Sequence, residues 1–423
     1  MIQTIRKAWG VPELRKKIVF TLLILLIFRI GNAIPVPYIN TTLLGNYLDS
    51  MSGTVLGLYN VMSGGAFAEA TVFALGVQPY INSSIIIQLL TIAIPALERL
   101  ARDGGEAGKK KIASITRYAT VAIALLQGFG YYMICKNYNI LEQQGIWPAL
   151  VIIVSFVAGS SFVMWLGEQV NEFGVGNGIS IILFAGILSR VPNMVTMGAS
   201  YIRTKGSIGY LWIALLIVGM LAMVVLIVHV NEAERRIPVQ YAKRQVGRKM
   251  YGGQASTLPM KVNMSGVLPI IFAQSIATLP ATIAAFTGHS DSAWASTTSI
   301  PYAIIYFLLI IFFAYFYSTI QFNPVEVANN LKKNGGFIPG FRPGKPTSEF
   351  IKKVLNKITL FGAIYLGIIA IVPILISHFS TSASLSGISL GGTSIIIVVG
   401  VALETVRALE AQMLMRNYKG FLS

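Results

Sequence analysis

Ten apolar runs of roughly 20 residues recur along this chain, each long enough to cross the hydrocarbon core of a bilayer as an α-helix. They fall near 18–37, 73–94, 112–134, 147–167, 178–198, 210–230, 265–287, 301–321, 358–378 and 389–411. Inside hydrocarbon the backbone N–H and C=O groups must be satisfied within the segment itself, so a run of this length folds as a helix. Little chain lies between the runs, and no separate soluble domain is expected. Charged residues are 12% of the 423, against about 25% in an ordinary soluble domain. The expected fold class is an all-α polytopic membrane protein with ten transmembrane helices.

The net charge is +17, and it is unevenly placed: 27 of the 33 Lys and Arg fall before span one, in alternate connections, or at the last span's end. By the positive-inside rule these are the cytoplasmic segments, which puts both ends of the chain in the cytoplasm. No small-residue cleavage site follows the first run, which therefore reads as span one rather than a cleaved signal peptide. The only cysteine, Cys135, excludes an intrachain disulfide and reads as a small apolar residue closing a span.

Catalytic chemistry is hard to build from this sequence. His229, His289 and His378 are scattered, with no spacing suited to a metal, so neither a catalytic residue nor a cofactor is expected. The tract GVGNGIS (174–180) resembles a phosphate-cradling loop but follows no strand, and it reads as a tight turn between spans. Ionisable residues within spans are few: Arg29, Arg117, and Glu404 with Arg407 three residues on, a spacing that suits a satisfied pair. The two lone arginines have stems long enough to snorkel. No series of buried carboxylates suggests a pump. If the protein moves something, the energy comes from a partner.

The ten spans divide into five and five. Residues 1–198 form one half, 199–209 a hinge, and 210–423 the other. An odd number of spans per half places homologous halves in opposite orientations, as in inverted-repeat transporters. A repeated phrase supports the division: GVQPYINSSII begins at Gly76 in span two, and GVLPIIFAQSI at Gly266 in span seven. Both join a Gly/Pro start to an aliphatic stripe and a cluster of polar residues. On spacing alone, ordinary helix packing explains these features as well as a functional face does.

Longer motifs go further. GVQPYINSSIIIQLL, GVGNGISIILFAGI, AKRQVGRKMYGGQASTLPMKVNMSGVLPIIFAQSI, NGGFIPGFRPGKPT and GGTSIIIVVG occur in this order, and the chain resembles the bacterial SecY family over essentially its whole length. That family forms the protein-conducting channel of the Sec translocon. The resemblance implies two pseudo-symmetric inverted halves of five helices arranged as a clamshell, hinged between spans five and six and opening to lipid between spans two and seven. It implies no enzymatic activity. The function would be translocation of unfolded secretory precursors across the bacterial plasma membrane, with sideways release of membrane-protein segments into lipid. A secondary transporter for a small solute would also use inverted repeats, but it would need a charged or polar site at the bilayer midplane.

Carried over by motif, the resemblance implies a constriction of Val77 and Ile81 from span two, Ile179 and Leu183 from span five, Ile271 from span seven and Ile397 from span ten. Val77 and Leu183 stand where isoleucine is common in the family. The segment 55–67 resembles the family's plug, here Leu58, Tyr59, Asn60, Val61, Met62, Ser63, Gly64 and Gly65, a short helix closing the outer funnel. The lateral gate would use Asn82, Ser83 and Gln88 on one side, and Gln274, Ser275 and Thr278 on the other. The basic loops 231–263 and 322–357 resemble docking surfaces for the motor SecA and for the ribosome, through Arg235, Arg236, Lys243, Arg244, Arg248, Lys249 and Arg342. SecE and SecG are the implied partner subunits.

Overall fold

The computed structural model describes residues 2–50, 54–241, 244–246, 249–251, 255–264, 266–286, 296–297, 299–379 and 391–419. Helices α1 (Ile2–Trp9) and α2 (Pro12–Gly31) open the chain. Pro12 suits the first helical turn, where its missing N–H goes unnoticed. α2 buries Leu14, Thr21, Ile24, Phe28 and Gly31, a stripe of three-, four- and seven-residue steps. The run expected at 18–37 is thus shifted toward the N-terminus. The basic residues 15–17 are accommodated in the first turns of α2, while Pro35 and Pro37 prevent it from extending further.

Two short helices follow, α3 (Thr41–Ser50) and α4 (Val55–Met62), and then α5 (Gln78–Ala93), the second expected span. At Ile94–Pro95 the chain turns by 105° into α6 (Pro95–Arg102). α6 is seated on the start of α7 (Gly105–Asn137): the Leu100 carbonyl lies 2.3 and 2.0 Å from where a Cβ on Gly104 or Gly108 would stand. α7 buries Thr116, Thr120, Ala124, Gly128, Tyr131 and Cys135 along one side, and packs between α5 and α8 (Ile146–Phe173). α8 runs beyond the expected end at 167. It carries Glu168 up to Arg117, with Nε and Oε1 2.8 Å apart, so Arg117 is paired rather than snorkelling alone.

The fifth span breaks into α9 (Gly178–Leu188) and α10 (Val191–Lys205). The residues assigned to a hinge are largely helical, and a single residue, Gly206, separates α10 from α11 (Ser207–Glu232). α11 is apolar all round, and only 6% of its spanning window is buried in the protein. The second set of helices is α12 (Leu268–Ala277), α13 (Leu279–Phe286), α14 (Ile300–Gln321), α15 (Pro324–Lys333), α16 (Lys345–Phe379) and α17 (Gly391–Lys419). α14 buries Tyr302, Tyr306, Ile310, Phe313 and Tyr317 at four- and three-residue steps, and α16 and α12 pack against it.

By length and composition, α7, α8, α9 with α10, α11, α14 and α16 can each cross a membrane, and the bent pair α5–α6 makes a seventh. The remaining expected runs coincide with α2, α12–α13 and α17, which are shorter, broken or more charged. One contiguous core, from Ile24 to Val401, joins the helices.

The two basic loops are not the open connections their polarity suggests. β1 (Glu234–Tyr241) pairs antiparallel with β4 (Ala255–Lys261), Glu234 opposite Lys261 and Ile237 opposite Leu258. β5 (Gly336–Phe337) from the second loop adds to β1's other edge, giving the order β4–β1–β5. A separate two-stranded ladder joins β2 (Arg244–Val246) and β3 (Lys249–Tyr251). Strand alternation turns Ile237 and Val239 inward, where they meet Met260, Ala328 and Leu331 of α15, and Ile351 and Leu355 of α16. A second core thus forms outside the spans, and α16 starts 13 residues earlier than the run at 358 implied.

Candidate functional site

The repeated phrase folds the same way twice. Gly76 and Gly266 take φ +53° and +62°, which glycine adopts without a Cβ penalty. Val77 (φ −89°, ψ −1°) and Val267 (φ −90°, ψ −8°) follow, and the helices α5 and α12 begin with Pro79 and Pro269 in their first turns. The first helical bonds match as well: Ile81 N–H donates to Val77 O at 3.1 Å, and Ile271 N–H to Val267 O at 3.2 Å. α5 and α12 then contact one another.

Four helices deliver the six aliphatic residues: Val77 and Ile81 at α5, Ile179 and Leu183 on α9, Ile271 on α12, Ile397 on α17. All are at least nine-tenths buried within the one core. GVGNGIS makes the turn that starts α9. Asn177 caps it by accepting from the N–H of Ile179 and Ser180, and Asn171 Oδ1 accepts from Gly178 N–H at 2.8 Å. Val77 and Leu183 line a cavity of about 30 Å³ together with Tyr59, Met62, Ser63, Phe67, Gln127 and Tyr131.

The short helix expected at 55–67 is α4, and every one of its residues is buried. Among its polar ties, Asn32 Nδ2 donates to Ser63 O at 3.4 Å. Asn60 and Ser63 bond locally, Asn60 Oδ1 accepting from Ala68 N–H at 3.1 Å and Ser63 Oγ from Phe67 N–H at 3.1 Å. Outward, the Tyr59 hydroxyl lies 3.0 Å from Thr282 Oγ1 on α13, and Ser189 Oγ donates to Gly64 O at 3.3 Å. Gly64 has φ +74°, and a Cβ there would lie 2.7 Å from Gly186 O of α9. Gly65, at φ +96°, has open space around it.

The six residues assigned to the α5–α12 seam divide by environment. Ser83 faces α7 instead of α12, donating to Thr116 O at 2.8 Å and lying 2.8 Å from Thr120 Oγ1. Ser275 and Thr278 bond back to their own helix, at Ile271 O and Ser275 O. Asn82 and Gln274 are buried, and Gln274 Oε1 has no hydrogen-bond partner among the described residues. Gln88 reaches across: its Oε1 accepts from the Tyr317 hydroxyl of α14, while its Nε2 donates to Ser84 Oγ at 3.2 Å. Tyr317 and Thr282 carry no sequence signal of their own. Tyr317 reads only as one more aromatic in an apolar stripe.

Arg235 and Arg236 are exposed on β1, Arg236 Nε pairing with Glu234 Oε1 at 2.7 Å. In the β2–β3 ladder Arg244 stands opposite Tyr251 and Lys249 opposite Val246. Lys243 and Arg248 lie outside the described residues. Arg342 is exposed on a loop between Gly340 (φ +87°) and Gly344 (φ +106°). Its carbonyl accepts from Thr347 Oγ1 at 2.8 Å, and Phe341 stacks on Phe350 with centroids 4.2 Å apart. Among the described residues, no group of three His, Cys, Asp or Glu side chains could hold a metal.

Helices crossing in this number around one apolar centre, with two matched broken helices meeting beside it, define an all-α polytopic membrane protein. A family model described as SecY matches residues 71–406. The chain is 44% identical over 446 residues to "Protein translocase subunit SecY" of Streptomyces coelicolor, and 42% identical over 432 residues to that of Aquifex aeolicus, covering all of both chains in each case. It therefore belongs to the SecY family. Its fold is similar to a solved structure described as a protein conducting channel, at TM-score 0.64 and 17% identity, over 94% of this chain and 92% of the other. It is also similar to Sec61 in a canine ribosome-channel complex, at TM-score 0.60 and 16% identity, over 94% and 92%.

Proposed function

We infer that this chain is the channel-forming subunit of a protein-translocating complex. One observation supports this most: six aliphatic side chains from four helices are nine-tenths buried or more within one core, and two of them share a cavity with the fully buried helix α4. An aliphatic constriction dewets when narrow and resists ions, yet offers a passing polypeptide no polar group to hold it. Val77, Ile81, Ile179, Leu183, Ile271 and Ile397 form that constriction, and α4 with Ser63, Gly64 and Gly65 is its plug. The ties from Tyr59, Ser63 and Gly64 to neighbouring segments are single hydrogen bonds, which a plug can break and remake.

The seam between α5 and α12 is the lateral gate, with Asn82, Gln88 and Gln274 at its interface. Ser83, Ser275 and Thr278 support its walls from within. A signal segment enters there because its apolar surface favours lipid. The work is done elsewhere: SecA and the ribosome dock on the basic surface of Arg235, Arg236, the β2–β3 ladder and Arg342. Arginine and lysine suit both acidic protein patches and RNA phosphates. SecE and SecG complete the complex in the bacterial plasma membrane, with both ends of this chain cytoplasmic.

Crosslinking tests the reading. In a Cys135→Ser background, Ile271→Cys is combined with a cysteine-bearing precursor stalled during SecA-driven translocation. A disulfide to the precursor's middle region is the expected result. Translocation without that disulfide would move the constriction elsewhere, and failure of any precursor to engage would remove the channel reading.

A further inference from the structure

The two copies of the repeated turn differ in one respect. A Cβ on Gly76 would meet nothing nearer than Phe73 O at 3.8 Å, whereas on Gly266 it would lie 2.3 Å from the Glu404 carboxylate of α17. That carboxylate accepts from the Val267 N–H. The first N–H groups of a helix lack intrahelical partners and carry its positive dipole end, which is where a carboxylate binds best. α12 is therefore held at its start by an anion from another helix.

The spacing of Glu404 and Arg407 suggested a structural pair, but the two reach different partners. The Arg407 guanidinium donates to Asn231 O, near the end of α11, at 2.7 Å. Asn263, two residues beyond β4, donates through Nδ2 to Asn231 Oδ1 at 2.7 Å and to Gly266 O at 3.1 Å. The Lys261 and Arg407 charges also act on Glu404. Val262 N–H donates to Ala233 O at 2.9 Å, closing the base of the β1–β4 pair. Polar contacts thus run from the β-sheet through Asn263 and Asn231 to Arg407 on α17, and one turn earlier on that same helix Glu404 meets the first turn of α12.

We propose that Glu404 is a positioning residue that couples the cytoplasmic β-sheet to α12, so that displacement of the sheet is transmitted to the start of that helix. The proposal rests on the channel reading for its meaning, since there the sheet is the docking surface and α12 is one wall of the gate. Its physical content stands apart from that reading. A helix held by one carboxylate, itself tied to the sheet, moves with the sheet. With the carboxylate removed, only the Asn263 bond to Gly266 O and the short connection between β4 and α12 link them, and the coupling weakens.

Hydrogen exchange on the full chain in lipid nanodiscs measures this without any translocation partner. Val239→Ala loosens the sheet, and the readout is amide exchange across 267–277. In the parent chain, loosening the sheet speeds that exchange, on the order of tenfold. Glu404→Gln alone speeds it comparably, and adding Val239→Ala then changes it several-fold less than in the parent chain. Arg407→Gln supplies a second arm: it keeps the carboxylate on Val267, so basal protection of 267–277 holds while the sheet variant loses its effect there. If the Val239→Ala and Glu404→Gln effects multiply, Glu404 is only a helix cap and the coupling is wrong. No response of 267–277 to Val239→Ala in the parent chain overturns it equally. Either result leaves the precursor crosslink at Ile271 free to succeed or fail independently.

Discussion

The Tyr59 hydroxyl of α4 lies 3.0 Å from Thr282 Oγ1 of α13. Thr282 already donates to Thr278 O at 2.8 Å, so Tyr59 is the donor between them. This bond joins the proposed plug to the helix that continues one wall of the proposed gate. Movement of α13 therefore acts directly on α4.

Tyr59→Phe keeps the ring and its packing on Phe67 but removes this bond, worth about 1 kcal/mol. Thr282 keeps its bond to Thr278, so little is left unsatisfied. Ion efflux from vesicles holding the reconstituted channel should rise roughly fivefold, the factor that about 1 kcal/mol represents. Efflux equal to that of the parent would show that the bond does not hold α4 in place.

Gly64→Ala and Gly65→Ala separate backbone strain from contact. Both positions have positive φ, which costs a residue with a Cβ about 1–2 kcal/mol. Only at Gly64 does the added atom also strike Gly186 O and Ser189 Oγ. Efflux should therefore increase more for Gly64→Ala than for Gly65→Ala. The reverse order would mean that α4 is not seated against α9 in the membrane.

Gln88 and Tyr317 hold α5 to α14 beside the seam. Tyr317→Phe preserves the ring contact with Phe272, centroids 5.1 Å apart, and Gln88→Leu removes the acceptor. Each should hasten engagement of a precursor whose signal segment is only weakly apolar. The double variant should add little to either, with a coupling of about 0.5–1.5 kcal/mol from a double-mutant cycle on engagement rates. Additive effects would deny that this bond closes the seam.

Arg342→Glu reverses an exposed charge on a loop that Gly340, Gly344 and the Phe341–Phe350 stack hold in shape. SecA-driven translocation should stop while the complex assembles in normal amount. Normal translocation by a stably assembled variant would remove Arg342 from the docking surface.

Ile351 is fully buried where α16 meets the sheet. Ile351→Ala should destabilise that second core by about 2–5 kcal/mol. Trypsin should then cut within 231–263 faster while the spans stay protected. An unchanged cleavage rate would show that the sheet does not depend on this core.

What could be read from the sequence was what depends on the solvent and on short spacing. Apolar runs report partition into lipid, and the six or seven that are long and apolar enough to cross a membrane were legible because partition is a property of the segment alone. Gly76 and Gly266 were legible as a pair because each turn is made within a few residues of its glycine. The β-sheet was not: β1 and β5 lie about a hundred residues apart, and polar loop composition does not reveal which strand a segment pairs with. Ser83 is placed at the seam by the resemblance, and periodicity gives a residue's direction without naming the neighbours it bonds, here Thr116 and Thr120 of α7. Arg117 and Glu168 lie 51 residues apart, and nothing local announces their pairing. Tyr317 was hidden for the opposite reason, since an aromatic within an apolar stripe satisfies the pattern whether or not its hydroxyl has a use.

The 105° turn between α5 and α6 restricts the kind of motion open to the seam. A straight helix can slide along its axis like a piston. α5 ends in a segment lying across its path, and that segment is lodged by the Leu100 carbonyl on the first turn of α7. Axial travel would have to tear α6 from its seat, whereas tilting about the bend leaves it there. In the proposed gate, a wall formed by α5 would swing, and an opening on its side would be a wedge widening away from a fixed corner rather than a uniform slot.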